Sequence, residues 1–297
     1  MKNENICIVC INVAFANAAG LQNALDCNIA IEKLEPKGYG SVLTQKPFGL
    51  NNMPEADHYI FAGSGIMPRI DVSLLKGRKS VIITDSHYLR DTATIDSIIQ
   101  NNNIEVHCMI DLWKFCKLPN KKAYFHPFLD LNVPIVKNET PTLCHSPYSK
   151  HKQSLKGTAH IERAVKILQC ETTLNTDFIV DATWEECLER KAKANFFIDQ
   201  LCIRSHSDNL DYVGGIGKSG LEGMLLKCLT FSSGEHIVTD IGFPPYEIVN
   251  TVEMFVFKMQ NLLGSELMRL DLVEKQYEWA KKNTAPNYVV GRILEKA

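Results

Sequence analysis

Short apolar runs alternate with amphipathic stretches from the N-terminus onward, the pattern left by parallel strands joined through crossover helices. Strands are predicted over residues 6–13, 59–62, 80–84 and 104–109, and helices near 18–26 and 92–101. Between residues 118 and 142 the periodicity fails. Pro119, Pro127, Pro134 and Pro141 punctuate that stretch, which reads as a domain linker. Alternation then restarts, with strands over 142–145, 177–181 and 195–199 and helices over 158–170 and 183–193. A helix over 219–228, a strand over 229–232 and two helices across most of 248–297, broken near Gly264 and Pro286, complete the pattern. The expected architecture is α/β, with one domain over 1–140, a second over 141–275, and a last helix over 276–297 that could return to the first. Two open α/β units facing each other would hold a ligand in their cleft, at the carboxyl ends of the strands.

Composition removes several function classes. The 297 residues are 45% hydrophobic and 22% charged, which fits a globular chain rather than a disordered or coiled-coil one. The 32 basic and 34 acidic residues divide as 14 and 14 over 1–140 and 18 and 20 over 141–297, so neither half carries a field that would support a polyanion partner. No apolar run reaches the ~18 residues of a membrane-spanning helix. The N-terminal apolar run, followed by Ala14-Phe15-Ala16, can be read as a signal peptide. Lys2 is offset by Glu4, however, and Asn12 breaks the run, so a buried first strand explains it better. The ten cysteines are scattered, mostly inside apolar runs, as expected of reduced thiols in a cytoplasmic protein. Cys7-x-x-Cys10 has no second pair and the nine histidines lack ligand spacing, so no metal is expected.

Two stretches carry candidate chemistry. The first runs from His145 through Lys150, Lys152 and Lys156 to Gly157-Thr158, with no Asp or Glu from 140 to 161. Gly157 and Thr158 would start a helix beside Lys156, and free helix-start amides next to a lysine suit phosphate oxygens. A solvated basic loop before an ordinary capped helix is the plainer alternative. The second stretch is Gly214-Gly215-Ile216-Gly217-Lys218-Ser219-Gly220-Leu221-Glu222-Gly223-Met224. Its glycines would let a ligand approach the backbone, and Glu222, placed in the first helical turn, could accept hydrogen bonds from a ribose diol. Helix-dipole stabilisation accounts for a first-turn glutamate equally well. Spacing and position rule out a Walker loop and a dinucleotide fingerprint. His87, in Thr84-Asp85-Ser86-His87, follows a predicted strand where open sheets place ligands, and a structural role is an equal alternative.

Taken in order, Cys144-His145-Ser146-Pro147 with Lys156-Gly157-Thr158, then Asn195-Phe196-Phe197-Ile198-Asp199-Gln200-Leu201, then Gly217-Lys218-Ser219-Gly220-Leu221-Glu222-Gly223-Met224 resembles the donor-binding half of family-four-like glycosyltransferases of the GT-B fold. The likeness covers about residues 142–235. Over the first half it extends only to the layout, with Gly20 near the family's glycine loop. The resemblance implies two Rossmann-like domains and a retaining, metal-independent transferase that needs no cofactor and takes its sugar from a nucleotide diphosphate, UDP- or GDP-linked. Lys156 matches the family lysine, and Lys150 or Lys152 would stand in for an arginine that this longer loop lacks. Glu222 matches the ribose-binding carboxylate, while Gly214 stands where many members carry a second glutamate. Asp199, Gly217, Lys218, Ser219 and Gly220 fall within the matched donor motifs, and Asp85 or His87 falls at the histidine near the sugar. The implied acceptor is a hydroxyl on a glycan, a lipid or a modified nucleic-acid base. The rivals are a nucleotide-sugar-binding protein that has lost its chemistry, and an unrelated two-domain α/β protein such as an epimerase or a periplasmic-type binder.

Overall fold

The computed structural model describes residues 5–12, 21, 25, 27–33, 48–84, 88, 91–109, 112–113, 115–128, 131–148, 156–201 and 215–294. The chain divides into two compact units. The first comprises Met1–Leu129, Thr239–Ile241 and Thr284–Ala297, and the second Asp130–Val238 and Gly242–Asn283.

Unit 1 is built on seven parallel strands: β1 (Ile6–Asn12), β2 (Asn28–Lys33), β3 (Phe48–Gly49), β4 (His58–Ala62), β5 (Lys79–Thr84), β6 (Glu105–Met109) and β7 (Lys122–Tyr124). Their order is β3-β2-β1-β4-β5-β6-β7. Alternation along the strands puts Ile6, Ile8 and Cys10 of β1, Ile60 and Ala62 of β4, and Val81 and Ile83 of β5 in one buried cluster. Val289, Val290 and Ile293 of the last helix, Pro286–Leu294, belong to the same cluster. Helix α1 (Thr92–Asn101) buries Ile95 and Ile99.

Two features of unit 1 differ from the sequence expectation. Strand β2 has only Ile29-Ala30-Ile31 as an apolar run, too short to stand out, and it is fixed by pairing with β1 from Cys7↔Asn28 to Asn12↔Lys33. Strand β7 lies inside the stretch read as a linker, between Pro119 and Pro127. It survives at the sheet edge because Asp240 takes over a missing neighbour's role, with Oδ1 accepting the Ala123 N–H at 2.8 Å and Oδ2 bonded to Arg292 at 2.5 Å.

Unit 2 carries β8 (Thr142–Tyr148), β9 (Asn175–Val180), β10 (Phe196–Ile198), β11 (Leu229–Ser232) and β12 (Glu247–Ile248), all parallel, in the order β12-β11-β10-β8-β9. Helices α2 (Thr158–Glu171), α3 (Trp184–Lys193) and α4 (Lys218–Leu225) connect them. Thr183 and Glu186 form a reciprocal capping box at the start of α3. Helices α5 (Val252–Leu263) and α6 (Glu266–Asn283) follow, so the tail after residue 248 holds three helices rather than two, divided at Gly264 and before Pro286. Strand β8 extends three residues beyond the predicted end at 145, which puts Ser146 inside the strand rather than in a loop. The strand order reverses between β8 and β10, and that reversal is where an open parallel sheet leaves a crevice for a ligand. Among the described residues, no helix is long and apolar enough to cross a membrane.

Candidate functional site

The segments leaving β8 and β10 meet at the switch point of unit 2. Lys156, just before α2, donates from Nζ to Asp199 Oδ1 at 2.6 Å, and Asp199 directly follows β10. The other Asp199 oxygen accepts the Gly217 N–H at 2.6 Å, at the position that caps α4. Asp199 has no exposed surface and the Lys156 side chain keeps 25%. One carboxylate therefore ties a lysine and a helix-start amide together, with the lysine still open to solvent.

The backbone that brings Lys156 there depends on Gly157. This residue caps α2 at φ +67°, in the left-handed region where a Cβ is disfavoured. Thr158 is buried, and its hydroxyl lies 2.9 Å from His145 Nε2, while His145 Nδ1 lies 2.8 Å from the Ile198 carbonyl. The carbonyl can only accept, so Nδ1 carries the proton and Nε2 accepts from Thr158. His145 thus ties β8, β10 and α2 together as a neutral ring. Burial first, and the Lys156 and Lys191 cations next, pull its pKa down to about 4.

Glu222 sits one turn away, on the face of α4 toward α3. Its Oε2 accepts from Lys191 Nζ at 2.6 Å and its Oε1 from Trp184 Nε1 at 3.0 Å, with Lys218 Nζ at 3.9 Å. Lys191 has no exposed surface. It also donates to the Ser219 hydroxyl at 2.6 Å and lies 4.7 Å above the Phe197 ring. Burial alone would discharge this ammonium, but Glu222 outweighs it and the Lys191 pKa is raised. Burial likewise pushes the Glu222 carboxyl up, while Lys191 first and Lys218 next pull it below the usual carboxylate range. The Lys218 pKa is lowered, chiefly by burial. Both halves of the pair are therefore charged at neutral pH.

The structure moves Glu222 out of the first turn expected from sequence. Helix α4 begins at Lys218 and has no acidic residue in its first turn, so the Glu222 charge is held by two lysines rather than by the helix dipole. Gly220 is required by close packing, since a Cβ there would lie 2.5 Å from Ile216 Cγ1 and 3.2 Å from Asp199 Oδ2. Lys156, Gly157, Thr158, Asp199, Gly217, Lys218, Ser219, Gly220 and Glu222 thus form two adjoining clusters on the α2 and α4 starts. Gly20, Asp85, His87, Lys150, Lys152 and Gly214 lie outside the described residues.

Lys191, Trp184 and the neutral role of His145 did not emerge from the sequence. A signal for Lys191 was present. Trp184, Cys187, Leu188 and Ala192 mark the inner stripe of α3, and Lys191 falls on that stripe, where a lysine needs a buried partner. Among the described residues, no group of three His, Cys, Asp or Glu side chains is placed to hold a metal ion.

No family model matches the sequence, and no curated protein does. Solved structures match along almost the whole chain. An alpha-glucosyltransferase in complex with UDP and a 13-mer DNA containing an HMU base gives a TM-score of 0.58 at 9% identity, covering 97% of this chain and 97% of that one. Sucrose-phosphate synthase from Thermosynechococcus elongatus gives 0.59 at 9% identity, with 97% of each chain covered. The fold is GT-B. HepE from Anabaena, in complex with UDP and glucose, gives 0.52 at 9% identity with 98% of each chain covered. In GT-B terms the Lys156, Asp199 and Glu222 clusters lie in the C-terminal of the two Rossmann-like sheets, on the carboxyl side of its strands.

Proposed function

We propose that this chain is a retaining, metal-independent glycosyltransferase that moves a sugar from a nucleotide diphosphate, UDP-linked in the first instance, to a hydroxyl acceptor. The observation that carries this reading is the Lys156–Asp199–Gly217 contact at the β8/β10 switch point. It gathers a solvent-reaching cation and the α2 and α4 starts within one crevice of a GT-B sheet. Those groups are the donors that a leaving diphosphate needs. Lys156 and the helix-start amides would stabilise its developing charge, and preorganised charge stabilisation of this kind is usually the largest single term in catalysis. His145 and Thr158 would hold α2 so that these donors stay aimed. Glu222, kept ionised by Lys191, would accept the ribose hydroxyls. Lys150 and Lys152 are proposed as further diphosphate ligands, and Asp85 or His87 as the group facing the sugar. Structures in complex with UDP among the neighbours support the choice of uridine.

A second reading has one observation in its favour. Gly214 stands where many members of the resembled family carry a sugar-facing glutamate, as expected of a nucleotide-sugar-binding protein without turnover. The test is a thermal-shift panel of UDP-, GDP-, ADP- and CMP-sugars on the wild type, Lys156→Ala and Glu222→Ala, run beside a donor-consumption assay with EDTA. Stabilisation by one nucleotide family, lost in both variants, together with EDTA-resistant turnover that falls at least 100-fold in Lys156→Ala, is expected. Binding without turnover selects the second reading, and no shift with any nucleotide refutes both.

A further inference from the structure

The groups that would receive a diphosphate already hold an anion. Asp199 is fully buried, and its two oxygens engage Lys156 Nζ and the Gly217 N–H at 2.6 Å each. An ammonium and a helix-start amide are the pair of donors from which phosphate sites are built. The carboxylate is held firmly in this position. Its own backbone N–H donates to the Phe231 carbonyl at 2.9 Å, and the next turn is tied by Leu201 N to the Lys156 carbonyl at 3.0 Å. On the α4 side the packing is close, since a Cβ on Gly217 or Gly220 would lie 3.2 Å from Oδ2.

We propose that Asp199 is an internal competitor that makes this crevice selective for nucleotide-linked diphosphate over bare anions. In the free protein its carboxylate takes the two donors that an incoming diphosphate must claim. Free phosphate or pyrophosphate has only the phosphate-binding groups of this crevice to gain and meets a fixed negative charge there. A nucleoside diphosphate brings further attachments, at Glu222 among others, that can offset displacement of the carboxylate. A purely structural clamp would behave oppositely, since removing it would loosen Lys156 and weaken every anion. The inference rests on the nucleotide-diphosphate reading above.

The test is calorimetric titration of pyrophosphate and of UDP into the full chain, as wild type, Asp199→Asn, Asp199→Ala and Asp199→Asn with Lys156→Ala. In either folded single variant, pyrophosphate should bind at least tenfold tighter than in wild type and gain more than UDP does, with the gain lost in the double variant. Unchanged or weaker pyrophosphate binding in a folded Asp199 variant overturns the proposal. If neither variant melts cooperatively, the 15N-labelled Gly217 amide of the wild type decides. Its resonance should move when UDP replaces the carboxylate, and a stationary resonance in UDP-saturated protein overturns the proposal. A gain in pyrophosphate binding with no UDP binding by any form supports Asp199 as the competitor while removing the nucleotide reading. Equal UDP binding with no pyrophosphate gain does the reverse.

Discussion

Both sheets are all-parallel, but one region of each treats enclosed polar groups differently from the other. Around the β8/β10 switch point of unit 2, His145, Lys191, Asp199 and Glu222 are all nearly or fully buried, and each has defined partners: His145 with Thr158 and Ile198, Lys191 with Glu222 and Ser219, Asp199 with Lys156 and Gly217. In the β5 and β7 region of unit 1, the Ser80 and Tyr124 hydroxyls are enclosed with no hydrogen-bond partner. The first arrangement is costly to assemble and costly to break, because satisfied buried networks specify one geometry. The second tolerates polar atoms as passengers in an apolar layer. The contrast separates a region whose enclosed polar atoms fix one another from a region whose hydroxyls fix nothing.

The sharpest way to break that contrast is to remove one member of the buried ion pair. Lys191→Met keeps the length and apolar stem but leaves Glu222 ionised in the interior, supported only by the Trp184 N–H and by Lys218 at 3.9 Å. A loss of about 3–5 kcal/mol is expected. Neutralising both partners, as Lys191→Met with Glu222→Gln, should recover most of it. Denaturant unfolding of both variants checks this against Lys275→Ala, whose partner Asp271 is 60% exposed and whose loss should cost at most about 1 kcal/mol. Equal costs for Lys191→Met and Lys275→Ala would show that the interior pair is not specified as described.

Acid should weaken the same network by a different route. His145 is neutral in the native protein, with its pKa pulled from 6.5 to about 4. Between those values the unfolded chain binds a proton that the native state refuses, so this contribution is complete above about pH 6.5 and is lost as pH falls toward 4. At about 1.4 kcal/mol per pKa unit the full loss is about 3 kcal/mol. Stability measured from pH 7 to pH 4 should fall along that limb in the wild type and flatten in His145→Gln, whose side chain does not titrate. An unchanged slope in the variant would remove His145 as the cause.

Much of this organisation is legible in the chain. The strand at 229–232 and the helix at 92–101 are bounded as expected, because long or well-flanked apolar patterns carry their own limits. Short elements were not visible. Strands β3 and β12 have two residues each and exist only through pairing with β2 and β11. The candidate site divides in the same way. Gly157 and Lys156 announce a helix start with a cation beside it, which is local information. The buried partnerships Lys191–Glu222 and Lys156–Asp199 span 31 and 43 residues, and only the folded sheet brings their members together.

The smallest expected effect sharpens the contrast from the other side. Tyr124 belongs to the apolar cluster of β1, β4, β5 and the last helix, is 3% exposed, and gives its hydroxyl no partner. Burial alone pushes its pKa well above the usual tyrosine value, so the group stays protonated and uncharged at every working pH. A hydroxyl removed from water without a compensating bond costs free energy, and Phe fills the same ring space without that cost. Tyr124→Phe should therefore be neutral or stabilising by about 1 kcal/mol, whereas Thr158→Val, which removes a hydroxyl that His145 uses, should destabilise by about 1–3 kcal/mol. The two substitutions each delete one buried oxygen and differ only in whether that oxygen has a partner. Opposite signs in denaturant unfolding would establish that the polar network of unit 2, and not burial of hydroxyls in general, stabilises the crevice. A loss in Tyr124→Phe as large as that in Thr158→Val would place a specified polar contact at Tyr124 as well and dissolve the distinction between the two regions.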